Sequence, residues 1–158
     1  MKRFALLAGF VAACSSSPVD VTGDYSVQLT NGSNGCMFAN YTVGNMTMDV
    51  PVTITQNGTS ATATVTGTAG DYLNLVLGSD AFAGSVNGSS LDLTLTGTRA
   101  MSSGSCAFTY NASLSAELTD NSLSGEIDYT SDTNNGSDCT GITGCVTTQD
   151  IAGSRPPK

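Results

Sequence analysis

Apolar and polar residues alternate strictly over most of this chain, and this alternation restricts the fold more than any other feature. In segment 108–118 the even positions run from Phe108 through Leu114 to Leu118, whereas the odd positions are Thr, Asn, Ser or Glu. Successive side chains of a strand point to opposite faces, so the pattern predicts a strand with one apolar face. Similar alternation, weakest in the last segment, occurs in 25–29, 46–54, 61–65, 82–86, 91–95, 123–129 and 145–152. No helical periodicity of useful length accompanies it, which indicates an all-β chain.

The connections between these segments are of two kinds. Asn57-Gly58, Asn87-Gly88 and Asp120-Asn121 are short and contain residues that tolerate positive φ, as tight hairpin turns require. The other connections are long, at about 30–45, 67–80, 98–105 and 131–144. Strands that run alternately up and down would place all tight turns at one end and all long connections at the other. The chain would then enter its first strand at the tight-turn end.

About eight strands joined by local turns predict an antiparallel up-and-down meander barrel, because closure removes the exposed edges of a sheet. A β-sandwich is the alternative that fits the same strand count. Pro51 lies inside the second segment and indicates a bulge or an unpaired N–H there. The apolar run 72–77 is either a helical turn or a brief strand.

The N-terminus has the layout of a secretory signal. Lys2 and Arg3 are followed by an apolar stretch, residues 4–12, that is too short to span a bilayer. The motif Val11-Ala12-Ala13-Cys14 resembles the lipobox of bacterial lipoproteins. That resemblance implies a lipid on Cys14 and attachment to the bacterial cell envelope, with the outer membrane as the expected location. An ordinary cleaved signal with an incidental cysteine is the alternative.

These observations predict four segments. Residues 1–13 would be a signal peptide, 14–21 a lipidated flexible tether, 22–155 a single β-barrel domain and 156–158 a short tail. The mature chain is long enough for one domain with an apolar core, and no second domain is needed.

The cysteine count agrees with the lipobox. Of five cysteines, lipidation of Cys14 leaves Cys36, Cys106, Cys139 and Cys145, which can form two disulfides in an oxidising compartment. All four lie in or beside long connections, so the bridges should brace that end. Cys139–Cys145 with Cys36–Cys106 is the preferred pairing because the first bridge closes a short loop, but spacing leaves all three pairings open.

Gly23-Asp24-Tyr25, at the start of the first strand, is similar to the Gly-x-Trp motif that opens lipocalin-like barrels. In that family a basic residue near the end of the last strand packs over the aromatic ring, which implies an Arg155–Tyr25 cation–π contact. The resemblance also implies a small apolar ligand inside the barrel. Candidate ligand-lining residues are Met46, Met48, Phe82, Phe108 and Tyr110. Alternatively, these side chains simply fill the interior, since eight strands enclose little space.

The chain lacks several kinds of chemistry. It has no histidine, which excludes Ser-His-Asp and Cys-His nucleophile systems and most catalytic zinc sites. Glu117, Glu126 and Asp128 are predicted to be solvated surface acids rather than a catalytic pair. The oxygen-rich segment 132–138 lacks the glycine offset and terminal Glu of a calcium loop. We therefore expect no enzyme, no catalytic residue, no metal and no cofactor.

The expected function is that of a non-enzymatic, lipid-anchored envelope protein. Its partner would be the membrane through the lipid, together with a small apolar ligand or an envelope protein at the loop end. A formal charge of −8 disfavours nucleic acid. The alternatives are a filled barrel that acts through surface contacts and, less favoured, an integral outer-membrane barrel, which would need aromatic girdles. A continuous apolar cavity of several hundred Å3 would favour ligand binding.

Overall fold

The computed structural model describes residues 17–158, so the predicted signal peptide and the lipobox lie outside the described residues. Within this range the chain forms nine β-strands and one α-helix. In chain order these are β1 (Gly23–Asn34), β2 (Met46–Asn57), β3 (Ser60–Val65), α1 (Gly67–Val76), β4 (Ala81–Asn87), β5 (Ser90–Leu95), β6 (Met101–Ser103), β7 (Cys106–Thr119), β8 (Ser122–Thr133) and β9 (Val146–Ser154).

Eight of the strands close into a barrel. The strand order is β5-β4-β3-β2-β1-β9-β8-β7, and a further pairing between β5 and β7 closes the circle. Each pairing is antiparallel, and β1 lies beside β9 with Ser26 opposite Ser154. The short β6 pairs with one end of β7. The prediction of an antiparallel up-and-down barrel is confirmed, and the sandwich alternative is wrong.

The alternating segments build the barrel wall as their pattern predicts. Leu91, Leu93 and Leu95 on β5 are at most 1% exposed, while the residues between them are exposed. Strand β7 alternates in the same way from Ala112 to Leu118. Apolar side chains therefore point inward, and Ser, Thr, Asp and Glu cover the outer faces of these strands.

The two ends of the barrel differ as the connections predict. Gly58, Gly88 and Asp120 each have φ near +60° in the tight turns, where only residues that tolerate the left-handed region fit well. The incoming chain runs along this end, because the Val19 N–H donates to the Gly88 carbonyl over 2.8 Å. The outgoing chain ends here too, with the N–H of Arg155 bonded to the carbonyl of Asn121.

The run 72–77 belongs to a helix rather than a strand. Helix α1 places Ala69, Leu73 and Val76 toward the barrel, at the spacing of one helical face. Gly70 allows the helix to approach β3 closely, since a Cβ there would lie 2.3 Å from the Val65 carbonyl oxygen. Within residues 17–158, no helical segment is both long and apolar enough to cross a membrane.

A bulge in β2 changes which of its side chains face inward. Val27 pairs with Val50, but Leu29 pairs with Thr47, so two residues of β2 lie opposite one residue of β1. Asp49 within the bulge has φ +55°. Pro51 therefore indicated a real irregularity, which lies just before it in the chain.

The bulge makes the prediction for Met46 and Met48 wrong. Both had been expected to continue the inward face that carries Val50 and Ile54. Instead they are 58% and 59% exposed, and Thr47 between them points inward. The extra residue shifts the alternation by one position, which turns each side chain before it to the opposite face.

The four described cysteines form two disulfides at the long-connection end, but not in the preferred pairing. The bridges are Cys36–Cys145 and Cys106–Cys139. Barrel closure explains the first bridge, because Cys36 follows β1, Cys145 precedes β9, and these strands are neighbours. Cys106 begins β7 and Cys139 follows β8, which are neighbours as well. Spatial adjacency between strand ends therefore decides the pairing, and loop length does not.

Candidate functional site

The interior of the barrel contains a cavity of about 500 Å3. Its walls come from five consecutive strands of the barrel, β3, β2, β1, β9 and β8, with single residues from β4 and β7. Its deepest lining side chains are buried and apolar: Ile54, Ala63, Phe82, Leu114, Ile127 and Ile151. Phe82 is thus the one predicted ligand-lining residue that does line this cavity.

The barrel interior is hollow on one side and packed on the other. The neighbouring strands β5 and β7 carry inward leucines that are almost completely buried and do not line the cavity: Leu91, Leu93, Leu95 and Leu118. On the hollow side the corresponding inward positions of β3 carry small residues, including Ala61 and Ala63. The leucine-rich strands and the alanine-rich strand therefore divide the interior into a core and a pocket.

The mouth of the cavity lies at the long-connection end. Helix α1 borders it with Ala69, Leu73 and Val76, and the connection after β1 borders it with residues 38–41. The helix is held at both ends by backbone hydrogen bonds: the Thr66 N–H donates to the Pro51 carbonyl over 2.9 Å, and the Thr98 N–H to the Leu77 carbonyl over 2.8 Å. Two segments without strand partners thus frame the entrance.

One wall of the cavity carries a chain of neutral hydrogen-bonding side chains. The Tyr129 hydroxyl donates to Gln149 Oε1 over 2.8 Å, and Gln149 Nε2 donates to Asn31 Oδ1 over 2.7 Å. Asn31 Nδ2 in turn donates to the Thr42 carbonyl over 3.1 Å. Burial raises the pKa of Tyr129 far above its ordinary value, so its phenol stays protonated.

Phe108 and Tyr110 do not line the cavity, contrary to expectation. They form an aromatic cluster with Phe38, whose ring centroid lies 4.8 Å from that of Tyr110 in an edge-to-face arrangement. Phe108 also contacts Tyr110 edge-to-face, with ring centroids 5.4 Å apart. Phe38 also contacts Tyr129, with centroids 5.8 Å apart, and lines the cavity. The two predicted residues therefore support the mouth from behind.

The tight-turn end is closed by the contact that the lipocalin-like motif implies. The Arg155 guanidinium lies 5.7 Å from the centroid of the Tyr25 ring. It also donates to the carbonyls of Thr22 over 2.6 Å and Asp20 over 3.0 Å, and Arg155 is only 8% exposed. Gly23 has φ +149°, and a Cβ there would lie 3.1 Å from Arg155 Cδ. The glycine, the aromatic ring and the arginine therefore form one packed unit.

The acidic residues are placed as surface groups. Glu117 and Glu126 are exposed and stand opposite Ser124 and Ser115, not opposite each other, in the β7–β8 pairing. Asp138 accepts hydrogen bonds from the N–H and the hydroxyl of Ser105, which lower the pKa of its carboxyl. No group of three or more metal-ligating side chains occurs within residues 17–158.

Exposed apolar side chains gather around the mouth. Of the eight large hydrophobic residues that are well exposed in the described part of the chain, only Val19 lies at the tight-turn end. The other seven form what we term the apolar rim: Met37, Val43, Met46, Met48, Tyr72, Leu75 and Val146. They belong to the connection after β1, the first residues of β2 and β9, and helix α1. Large apolar side chains exposed at one end of a protein are a feature of many interaction sites.

Sequence reasoning missed the helix side of the mouth and the three hydrogen-bonded residues Asn31, Tyr129 and Gln149, which we term the polar wall. The inward alternation of β1 continues from Val27 through Leu29 to Asn31, so Asn31 could have been placed inside. Gln149 precedes the inward Ile151 by two residues in the same way. For α1, the spacing of Ala69, Leu73 and Val76 was the available signal, but the flanking turn residues obscured it.

Comparisons with known protein families, curated proteins and solved structures find no match. The closed eight-stranded antiparallel barrel is consistent with a calycin-like fold. Function is therefore argued from the cavity and its residues, since a fold by itself does not specify an activity.

Proposed function

We propose that this protein is a non-enzymatic, lipid-anchored barrel of the bacterial cell envelope that binds a small apolar ligand in its interior. The single observation that carries the proposal is the apolar cavity of about 500 Å3. Ligand pockets generally have volumes of about 300–1,000 Å3 and combine apolar walls with a few polar groups. The cavity has this size and this lining.

The energy available from such a pocket is sufficient for specific binding. Each methylene group removed from water contributes about 0.8 kcal/mol. Association costs offset several kcal/mol of that gain, so a ligand must fill most of the cavity to bind well. Linear or compact apolar molecules that reach from Phe82 to the mouth satisfy this condition.

The proposed anchor and the mouth lie at opposite ends of the barrel. Residues 17–22 enter at the tight-turn end, where the Val21 N–H also donates to Gln56 Oε1 over 2.8 Å. A lipid on Cys14, as the lipobox resemblance implies, would attach this end to the membrane. The mouth would then face away from the bilayer, toward ligand or partner.

The described faces of the strands support this proposal over its alternatives. A filled barrel would leave no cavity between β1–β3 and β8–β9. An integral outer-membrane barrel would turn apolar side chains outward to lipid. On β3, β5 and β7 the outward side chains are instead largely Ser, Thr, Asp and Glu.

The apolar rim favours a second candidate function, contact with another envelope protein. Tyr72 and Leu75 on α1 are 59% and 61% exposed, and Met37 in the connection after β1 is 67% exposed. A partner that covers these residues would also cover the mouth. A bound partner would therefore control whether a ligand enters or leaves the cavity.

A reporter experiment tests ligand binding. The chain contains no tryptophan, so Tyr72→Trp places a single indole at the mouth. Addition of a neutral apolar molecule such as a medium-chain alcohol should shift its emission to shorter wavelength and saturate. Thr53→Trp, on the outer face of β2, is the matched control and should not respond.

A blocking variant makes this test decisive. Ala63→Phe adds a ring to a buried residue that lines the cavity, and it should weaken binding at least about tenfold. Equal responses from both reporters, or undiminished binding by the blocked barrel, would contradict the proposal. Lipidation is tested separately: intact-mass measurement of the membrane-extracted protein should show acyl chains on Cys14 that Cys14→Ser abolishes.

A further inference from the structure

We propose that the ligand is an uncharged amphiphile whose head group accepts hydrogen bonds, such as an ester, amide or alcohol, and that Asn31, Tyr129 and Gln149 recognise this head. The inference rests on the proposed function and specifies its ligand class. It is carried by two features of the cavity: the absence of charge from its described lining, and the unused hydrogen-bonding capacity of one wall.

The charge distribution selects against anions. None of the described residues that line the cavity is ionised at neutral pH. Arg155 and Lys158 lie at the tight-turn end, where Lys158 pairs with Asp20. Arg99 is exposed in the connection after β5 and does not line the cavity. A carboxylate or phosphate in the pocket would therefore have no cationic partner.

Cationic head groups meet the same difficulty. No carboxylate belongs to the described lining either, and Asp150, beside Gln149 in sequence, is exposed on the outer face of β9. An ion of either sign would lose its hydration without gaining a counter-charge. Burying an unpaired ion is far more costly than burying an amide or hydroxyl that keeps a hydrogen bond.

The polar wall has hydrogen-bond donors that its internal chain of hydrogen bonds does not use. Each amide nitrogen of Gln149 and Asn31 carries two N–H groups, and the internal chain uses one from each. The Tyr129 oxygen donates its proton to Gln149 but keeps its lone pairs. The wall can thus offer two N–H donors and one oxygen acceptor. This set matches the carbonyl of an ester or amide, and the hydroxyl of an alcohol.

The polar wall also lies near the mouth, where the head group of an amphiphile would be if its tail occupied the apolar floor. Asn31 is near the end of β1, and Gln149 is the fourth residue of β9, so both lie toward the long-connection end. The apolar floor, with Ile54 and Phe82, is further inside. An amphiphile with its tail on the floor would bring its head to the wall beneath the mouth.

Matched ligands test the inference. The full chain carrying Cys14→Ser, with both disulfides formed, is titrated calorimetrically at pH 8 with an alkane, a methyl ester, a carboxylate and a primary amine of equal chain length. We expect the ester to bind at least about tenfold more tightly than the carboxylate and the amine. Carboxylate affinity should rise as the pH falls and the acid becomes neutral.

Two variants localise the head group. Gln149→Met removes the central link of the wall at nearly constant shape, and it should reduce ester affinity at least about fivefold while leaving alkane affinity unchanged. Gln28→Met on the outer side of β1 is the control and should change neither. Tyr129→Phe, which removes one hydroxyl only, repeats the test if Gln149→Met folds poorly.

The outcomes separate the inference from the proposed function. If the alkane and the carboxylate bind as tightly as the ester, the cavity binds ligands but the inference is wrong. If Gln149→Met and Gln28→Met reduce the ester affinity by the same factor relative to the wild type, the polar wall does not recognise the head group. If none of the four ligands binds, both the inference and the proposed function are overturned.

Discussion

The two ends of this barrel are stabilised in different ways. At the tight-turn end the chain closes the barrel with short turns and one buried arginine that bonds to the carbonyls of Asp20 and Thr22. At the long-connection end the strands stay paired, and two disulfides hold the connections beside them while the interior stays open. The first end is packed and the second contains the mouth. Covalent bridges can brace an end without filling it, which side-chain packing cannot do.

The same contrast runs across the barrel interior. Leucines of β5 pack against β7, whereas alanines of β3 leave space in front of β8 and β9. The packed core and the proposed binding cavity thus lie beside different strands. Each part of this comparison can be changed by substitution.

Removal of the bridges should have the largest effect on the free energy of unfolding. The Cys36–Cys145 bridge spans 109 residues and the Cys106–Cys139 bridge spans 33. In the chain-entropy account their loss as paired serines costs about 4.8 and about 3.7 kcal/mol. Urea unfolding of the two double variants measures both values. A larger loss from the shorter bridge would contradict the chain-entropy account.

Arg155→Met should cost about 2 kcal/mol, because it leaves the partly buried carbonyls of Asp20 and Thr22 without donors and removes the cation–π contact. Arg99→Met, at an exposed position, is the matched control and should stay within about 0.5 kcal/mol of the wild type. The measurement is again urea unfolding. Similar losses for both variants would show that the tight-turn end does not depend on its arginine.

The same Ala→Phe substitution should change the free energy of unfolding by different amounts on the packed side and on the hollow side of the interior. Ala112→Phe, on β7 among well-packed neighbours, should destabilise the barrel by about 2 kcal/mol. Ala63→Phe should change stability by less than about 1 kcal/mol, because its ring enters the cavity. Equal losses in thermal and urea unfolding would mean that the interior is not hollow on the β3 side.

The smallest effects concern pH. Hydrogen bonds with Lys158 and Thr22 lower the pKa of Asp20, and hydrogen bonds with Ser105 lower the pKa of Asp138. A lowered folded-state pKa stabilises above the unfolded value of about 3.9, and this contribution is lost as pH falls through the folded value. Asp20→Asn and Asp138→Asn should therefore each flatten the acid side of the stability profile.

Salt distinguishes the two carboxyl groups. One partner of Asp20 is the charged Lys158, so this part of the contribution of Asp20 should weaken in high salt. The partners of Asp138 are the neutral N–H and hydroxyl of Ser105, so its contribution should persist. Acid titrations of both variants at low and high salt check this, and equal salt sensitivity would contradict it.

Much of the fold could be predicted because it depends on local patterns. The alternation predicts the eight barrel strands. Turns such as Asn57-Gly58 predict that the tight turns share one end of the barrel and the long connections the other. The interior of β2 could not be predicted, since one extra residue at the bulge turns Met46 and Met48 outward. That choice is made by pairing with β1, which lies in a distant part of the sequence.

The site was less predictable than the fold. The Cys36–Cys145 disulfide follows from barrel closure, since closure places β1 beside β9, whereas the spacing of the cysteines in the sequence does not indicate it. The cavity depends on the difference between small and large inward residues on facing strands. A single sequence shows that difference only after the strand neighbours are known.

The central claim is that the hollow side of the barrel holds an apolar ligand. Native mass spectrometry of the protein purified from its source membrane, in parallel with Ala63→Phe from the same source, tests it most directly. We expect the wild type to retain a non-covalent, uncharged amphiphile that denaturation releases, and the blocked variant to lack it. A wild type without a ligand, or an equally loaded Ala63→Phe, would contradict the account.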